Sequence, residues 1–167
     1  MQKEYTHFWT PERLLQAENI GLTAHEVSVL ASIVQKETAK SDEQPNVAGL
    51  YLNRLDKGMK LQSDPTVIYA LHERDGFDRV IKRVLKKDLK IASKYNTYYT
   101  KGLPPNPICI PEMSALLSVL NAKTHTHIYM CAKADFSGYH NFTNSWSVHK
   151  RNAKQFQKAL SNKGVMR

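Results

Sequence analysis

The first half of the chain is punctuated by helix start and stop signals at short intervals, and this restricts the fold more than any other feature. Thr10 followed by Pro11 reads as an N-cap with proline in the first turn, where its missing N–H is not needed, and Gly21 closes this short helix. Thr23 and Glu26 have the T-x-x-E spacing of a capping box, whose reciprocal hydrogen bonds start a helix running to about Ala39. A third helix begins after Ser41, tolerates Pro45 early, carries Val47, Leu50, Tyr51 and Leu55 at helical spacing, and stops at Gly58. Asp64 and Pro65 open a fourth, "PTVIYAL", with Asp64 suited to the N-cap.

Beyond Glu73 the pattern weakens, and "RVIKRVLKKDLKI" fits either a basic amphipathic helix or short strands around a turn. "YNTYYTKGLPPNPICIP" is too rich in Pro, Asn and Gly to continue a helix and reads as an ordered loop. Pro111 then opens a helix through about Leu120. "HIYMCA" and "YHNF", separated by "DFSG", read as a β-hairpin. In the terminal helix Trp146, His149, Ala153, Phe156 and Leu160 share a face. Helices first and a hairpin late make an α+β pattern, and 167 residues with 41% hydrophobic content suffice for one core, so 1–167 is expected to be a single domain. No run approaches the ~18 apolar residues of a membrane span. The net charge of +9 predicts attraction to polyanions, whether nucleic acid, anionic lipid or an acidic polymer. Cys109 and Cys131 form no CxxC pattern, which leaves their pairing and the redox compartment open.

The stretch "ASIVQKETAK" places Glu37 in the last turn of the second helix, where Val27, Leu30, Val34 and Glu37 follow one another at spacings that keep them on one face. A glutamate there can bend its carboxylate out to water and pair with Lys36 or Lys40. Alternatively, flanked by Leu30, Ile33 and Val34, it is partly desolvated, which raises its proton affinity towards that of a general acid near neutral pH.

"LASIVQKETA" (30–39), "VAGLYLNRLDKGMKLQSDPTVIYAL" (47–71), "YNTYYTKGLPPNPI" (95–108) and the late "HNF…H" (140–149) resemble the catalytic region of the YceG-like family of endolytic murein transglycosylases. The resemblance runs from about Phe8 to Leu160, with the blocks in the family's order. It implies cleavage inside peptidoglycan glycan strands between MurNAc and GlcNAc, with formation of 1,6-anhydro-MurNAc ends and without metal or organic cofactor. Glu37 matches the family's catalytic glutamate and would serve as acid and then as base. Ordinary glycosidases use two carboxyl groups, whereas a lytic transglycosylase can manage with one, because the charge state left by the first proton transfer is what the second requires. Substrate contacts are expected from Gln62, Ser63, Asp64 and Thr66, from Tyr69, Asn96 and Tyr98, and from His149, with Tyr95 a further aromatic candidate. Asp64 as a cap, Thr66 as a first-turn residue, the tyrosines as core and His149 as a buried histidine are the structural alternatives. "GLPPNPI" is expected to form a rigid wall of the cleft. The resemblance further implies a membrane-anchoring helix and a LysM-like subdomain ahead of the catalytic region. Neither is present here, so the expectation is the catalytic portion of a longer envelope protein, facing the periplasm or the outside, with cell-wall synthases as possible partners.

Two departures stand out: Asn106 replaces a glycine of the proline-rich loop, and Ser145, Trp146, Val148 and Lys150 replace the threonine, leucine, glutamate and asparagine common near His149. Three rival readings are carried. "DRVIKRVLKKDLK" could contact phosphates, although no nucleic-acid-binding signature accompanies it and none is expected as partner. His125 and His127 in "THTH", with His140 across the hairpin, could hold zinc, although spacing supplies no third ligand and no metal is expected. A domain that binds peptidoglycan or a synthesis partner without cutting it is the third.

Overall fold

The computed structural model describes residues 2–81 and 83–164. Helix α1 (Gln2–Phe8) leads into α2 (Pro11–Asn19), which Thr10 caps by accepting from the Arg13 N–H. Gly21 ends it at φ 74°, and the Leu22 N–H turns back to the Ala17 carbonyl. The capping box at Thr23 and Glu26 is formed in both directions and starts α3 (Ala24–Glu37). The expected single apolar stripe of α3 is wider than its spacing indicated, because every residue from Val27 to Val34 is buried. α3 is therefore the central helix, enclosed by its neighbours α2, α4 (Gln44–Asp56), α5 (Asp64–Asp75) and α6 (Met113–Leu120).

α4 ends at Gly58, which has φ 63°, as its sequence requires. Two helix starts differ from expectation. Ser63, not Asp64, is the N-cap residue of α5, and Glu112, not Pro111, is that of α6, where the Glu112 N–H is taken by the Gln35 side chain of α3. α5 also runs past "PTVIYAL" to Asp75 before Gly76 (φ 100°) stops it. The basic run that follows forms neither the amphipathic helix nor the strands anticipated, only a 3-10 turn at Asp88–Lys90. The Asp88 carboxylate accepts from the Leu85 N–H and the Asn96 amide donates to the Leu89 and Ile91 carbonyls, so side chains take over the backbone partners that a helix would have used. Lys82 of that run lies outside the described residues.

The anticipated loop and hairpin are present: 91–112 carries no helix or strand, and β1 (Tyr129–Ala132) pairs antiparallel with β2 (His140–Thr143), Met130 opposite Phe142 and Ala132 opposite His140. α7 (Trp146–Asn162) packs mainly on this hairpin, with His149, Ala153, Phe156 and Leu160 half-buried and Trp146 55% exposed. The protein thus has a helical body and a thinner hairpin-plus-helix layer. α4 joins them: its Asn53 amide donates to the His125 and His127 carbonyls, and its Arg54 Nε to that of Ile128.

Candidate active site

Between body and layer lies a cleft of about 430 Å³, lined by α3, α4, the 61–64 segment, Tyr98, the hairpin and α7. Glu37 reaches it from the last turn of α3, where Thr38 switches to extended backbone. Tyr51 of α4 and Ser63 each donate a hydroxyl hydrogen bond to Glu37 Oε1, both at 2.6 Å. No described residue bonds Oε2. Burial raises the Glu37 pKa above its ordinary value; the Ser63 and Tyr51 bonds and the neighbouring His140 work against this, and Asp64 adds to it. The helix C-terminus also disfavours a negative charge there. Removal from water outweighs the two donors, so the carboxyl holds its proton longer than an exposed glutamate while one oxygen is locked and the other left free.

The segment carrying Ser63 is buckled to the 96–98 loop. The Gln62 N–H, at φ 54°, donates to the Thr97 carbonyl, the Ser63 N–H to Thr97 Oγ1, and the Thr66 hydroxyl meets both the Ser63 carbonyl and Thr97 Oγ1. Asn96 turns the loop by accepting from the Tyr98 N–H, which aims Tyr98 so that its hydroxyl donates to Asp64 Oδ1 at 2.7 Å. Burial raises the Tyr98 pKa, and Asp64 raises it further.

Of the residues expected at the site, Glu37, Gln62, Asp64, Tyr98 and His149 line this cleft, and Ser63 touches it through Glu37. Thr66 and Asn96 are fully buried behind the lining. Tyr69 lies elsewhere, packed on Tyr95 at 4.6 Å and lining a separate shallow cavity with Tyr5 and Pro107. His149 stacks on Tyr129, its centroid 5.1 Å away, and burial, then Arg54, lowers its pKa, which favours the neutral ring.

Sequence reasoning missed Tyr51 as a site residue, and with it Arg54, Glu43 and His140. Glu43, 6% exposed, accepts from both the backbone N–H and the Nδ1 of His140, at 2.7 and 2.8 Å, and so fixes the imidazole beside the cleft. The "HNF" block was the signal for His140; nothing local marks Tyr51, whose apolar helical spacing disguises a hydroxyl directed at Glu37. The rival zinc pair is a structural clamp: His125 Nε2 meets the Asn46 carbonyl, His125 Nδ1 takes the His127 N–H, and no metal-holding cluster occurs among the described residues. Cys109 and Cys131 are both free thiols.

A sequence profile of the YceG-like family matches residues 1–155. The endolytic murein transglycosylase of Bacillus subtilis (strain 168) is 33% identical over 135 residues, which covers 81% of this chain and 35% of that protein. The endolytic murein transglycosylase of Streptococcus pneumoniae (strain D39) is 32% identical over 135 residues, 81% of this chain and 24% of that protein. The crystal structure of a YceG-like protein from Listeria monocytogenes matches with a TM-score of 0.71 at 30% identity, covering 81% of this chain and 42% of that one. The match thus spans about a quarter to a third of the length of these curated relatives.

Proposed function

Because the chain belongs to the YceG-like family, we propose that 1–167 is the catalytic portion of an endolytic peptidoglycan lytic transglycosylase working in the cell envelope. Its substrate is the glycan strand, and the bond cut joins MurNAc to GlcNAc. The observation that carries this reading is the state of Glu37: a desolvated carboxyl in a sugar-sized cleft, with Oε1 saturated by Tyr51 and Ser63 and Oε2 free.

Protonated on Oε2, Glu37 gives its proton to the bridging oxygen as the bond from C1 breaks and the electron pair leaves with that oxygen. The hydroxyls of Tyr51 and Ser63 then stabilise the carboxylate that remains. This carboxylate takes the proton of the C6 hydroxyl on the same MurNAc, whose oxygen closes on C1 to form the 1,6-anhydro ring. Glu37 returns to its starting state, and neither water nor a cofactor enters the balance. Gln62, Tyr98 and His149 offer polar and aromatic contacts to the sugar, while Thr66 and Asn96 hold the wall that presents them. Cell-wall synthases and a membrane-held position in the envelope are proposed for the longer protein.

Digestion of purified peptidoglycan by the chain and by Glu37→Gln, with mass spectrometry of the released muropeptides, tests this. Anhydro-MurNAc ends from the native chain, with the variant slower by about 100-fold or more, are expected. Reducing ends would mean hydrolysis. Binding of strands by both chains without cleavage would leave a non-catalytic peptidoglycan-binding domain.

A further inference from the structure

Glu37 and Asp64 are the two carboxylates lining the cleft, and the chemistry above uses only the first. We infer that Asp64 is a further catalytic residue: oriented by the Tyr98 hydroxyl, its carboxylate stabilises the positive charge that develops on C1 and the ring oxygen as the glycosidic bond breaks. This rests on the transglycosylase reading, in which the leaving oxygen departs before the C6 hydroxyl has closed on C1.

An Asp at this point of the sequence suggests a helix cap, but Ser63 occupies the N-cap position and Asp64 follows it, with no bond from its side chain to the helix backbone. The partner of Asp64 is Tyr98, which bonds Oδ1 and leaves Oδ2 without a donor among the described residues. Tyr98 is itself held at its N–H by the Asn96 side chain and at its carbonyl by Lys60 Nζ. The 96–98 loop, buried at Asn96 and Thr97, therefore sets the direction of an exposed carboxylate, an arrangement that a cap or a solvated surface residue does not need. The neighbouring residue, Ser63, is bonded to Glu37, so one turn of chain presents both the acid's partner and the second carboxylate to the same cleft. Glu37 already senses that charge, which raises its proton affinity. A fixed negative charge facing a developing cation needs no reorganisation during the step, and a glycan strand bound over the cleft would withdraw the exposed carboxylate from water and strengthen its effect. Asp64 forms no bond and moves no proton: the proton lost by Glu37 goes to the leaving oxygen, and the one it regains comes from the C6 hydroxyl.

The test is steady-state kinetics of anhydro-end release by the native chain, Asp64→Asn, Asp64→Glu and Tyr98→Phe, with the product ends identified. Asparagine keeps the Oδ1 acceptor for Tyr98 and removes only the charge. Asp64→Asn is expected to lower kcat about 100-fold with KM changed less than about threefold, while Asp64→Glu recovers part of the rate and Tyr98→Phe loses less than Asp64→Asn. The basic limb of the pH profile of kcat should also move to lower pH in Asp64→Asn, because Glu37 then loses the neighbouring charge that raises its proton affinity and keeps Ser63, Tyr51 and His140, which lower it, with Gln62, Arg54, Tyr98, Tyr129, Cys131 and His149 as the other polar or titratable groups on the lining. An unchanged kcat, or a change confined to KM, overturns the inference and leaves Asp64 a binding group. Reducing ends that disappear in Asp64→Asn also overturn it, making Asp64 a base for water. If the native chain releases no anhydro ends, or Glu37→Gln releases as many, the parent reading falls and takes this inference with it.

Discussion

Glu37 is set by two opposed effects whose balance decides its chemistry. Desolvation favours the neutral acid, and the hydrogen bonds from Ser63 and Tyr51 favour the carboxylate. Ser63→Ala removes one of these donors and is expected to move the basic limb of the pH–rate profile upward, a shift that a kcat titration reads directly. The same balance has a consequence for stability. A carboxyl whose pKa is raised on folding binds its proton more tightly in the native state, so its contribution is complete below the unfolded value of 4.5 and is lost as pH rises through the folded value. Glutamine at 37 cannot ionise but can still accept both hydroxyls at Oε1. Glu37→Gln is therefore expected to melt higher than the native chain at pH 8 and to lose that advantage at pH 4, as thermal melts at the two values would show.

At the scale of elements, α4 determines where the cleft can form. Its Gly49 lies against the Lys123 carbonyl, closely enough that a Cβ would clash with that oxygen and approach His125 Nε2. The contact brings 123–128 onto the helix, where Asn53 and Arg54 secure it and set the direction in which β1 begins. Gly49→Ala should destabilise the protein by about 2 kcal/mol, since the clash is with backbone that cannot rotate away. Chemical denaturation measures this directly, and a value near zero would mean that the 123–128 segment can retreat without cost. This glycine sits mid-helix at φ below zero, so its purpose is close approach rather than backbone freedom, and no turn signal marks it in the sequence.

The whole molecule is built in two tiers of unequal packing. The body closes around α3, whose eight central residues are all buried, whereas α7 buries none of its residues and packs mainly on the hairpin. Hydrogen exchange should reflect the difference: α3 amides are expected to exchange only through global unfolding, and α7 amides through an earlier opening that leaves the body intact. Equal protection in the two helices would mean that the tiers unfold as one. This arrangement puts the cleft at the boundary between a rigid wall bearing Glu37, Ser63 and Asp64 and a looser wall bearing Tyr129, Trp146 and His149.

Much of this organisation is legible in the chain because it depends on neighbours in sequence. Caps, proline starts and glycine stops are local hydrogen-bonding problems, so the ends of α2, α3 and α4 and the hairpin follow from the residues that form them. The basic run after Glu73 was ambiguous for the same reason, since its shape depends on Asn96 reaching back to Leu89 and Ile91. The position of Glu37 at the end of an apolar helix, and its match to a family block, could likewise be read directly. Its environment could not: Tyr51, Ser63, Asp64, Tyr98, Glu43 and His140 come from separate segments, and Tyr69 and Asn96 look as eligible as Tyr98 until the packing sends one to another cavity and buries the other. Sequence alone determined where α2, α3 and α4 begin and that Glu37 ends an apolar helix, because both are short-range matters. Only the tertiary structure decided which groups surround the Glu37 carboxyl, because desolvation and hydrogen-bond geometry are set by distances in space between residues far apart along the chain.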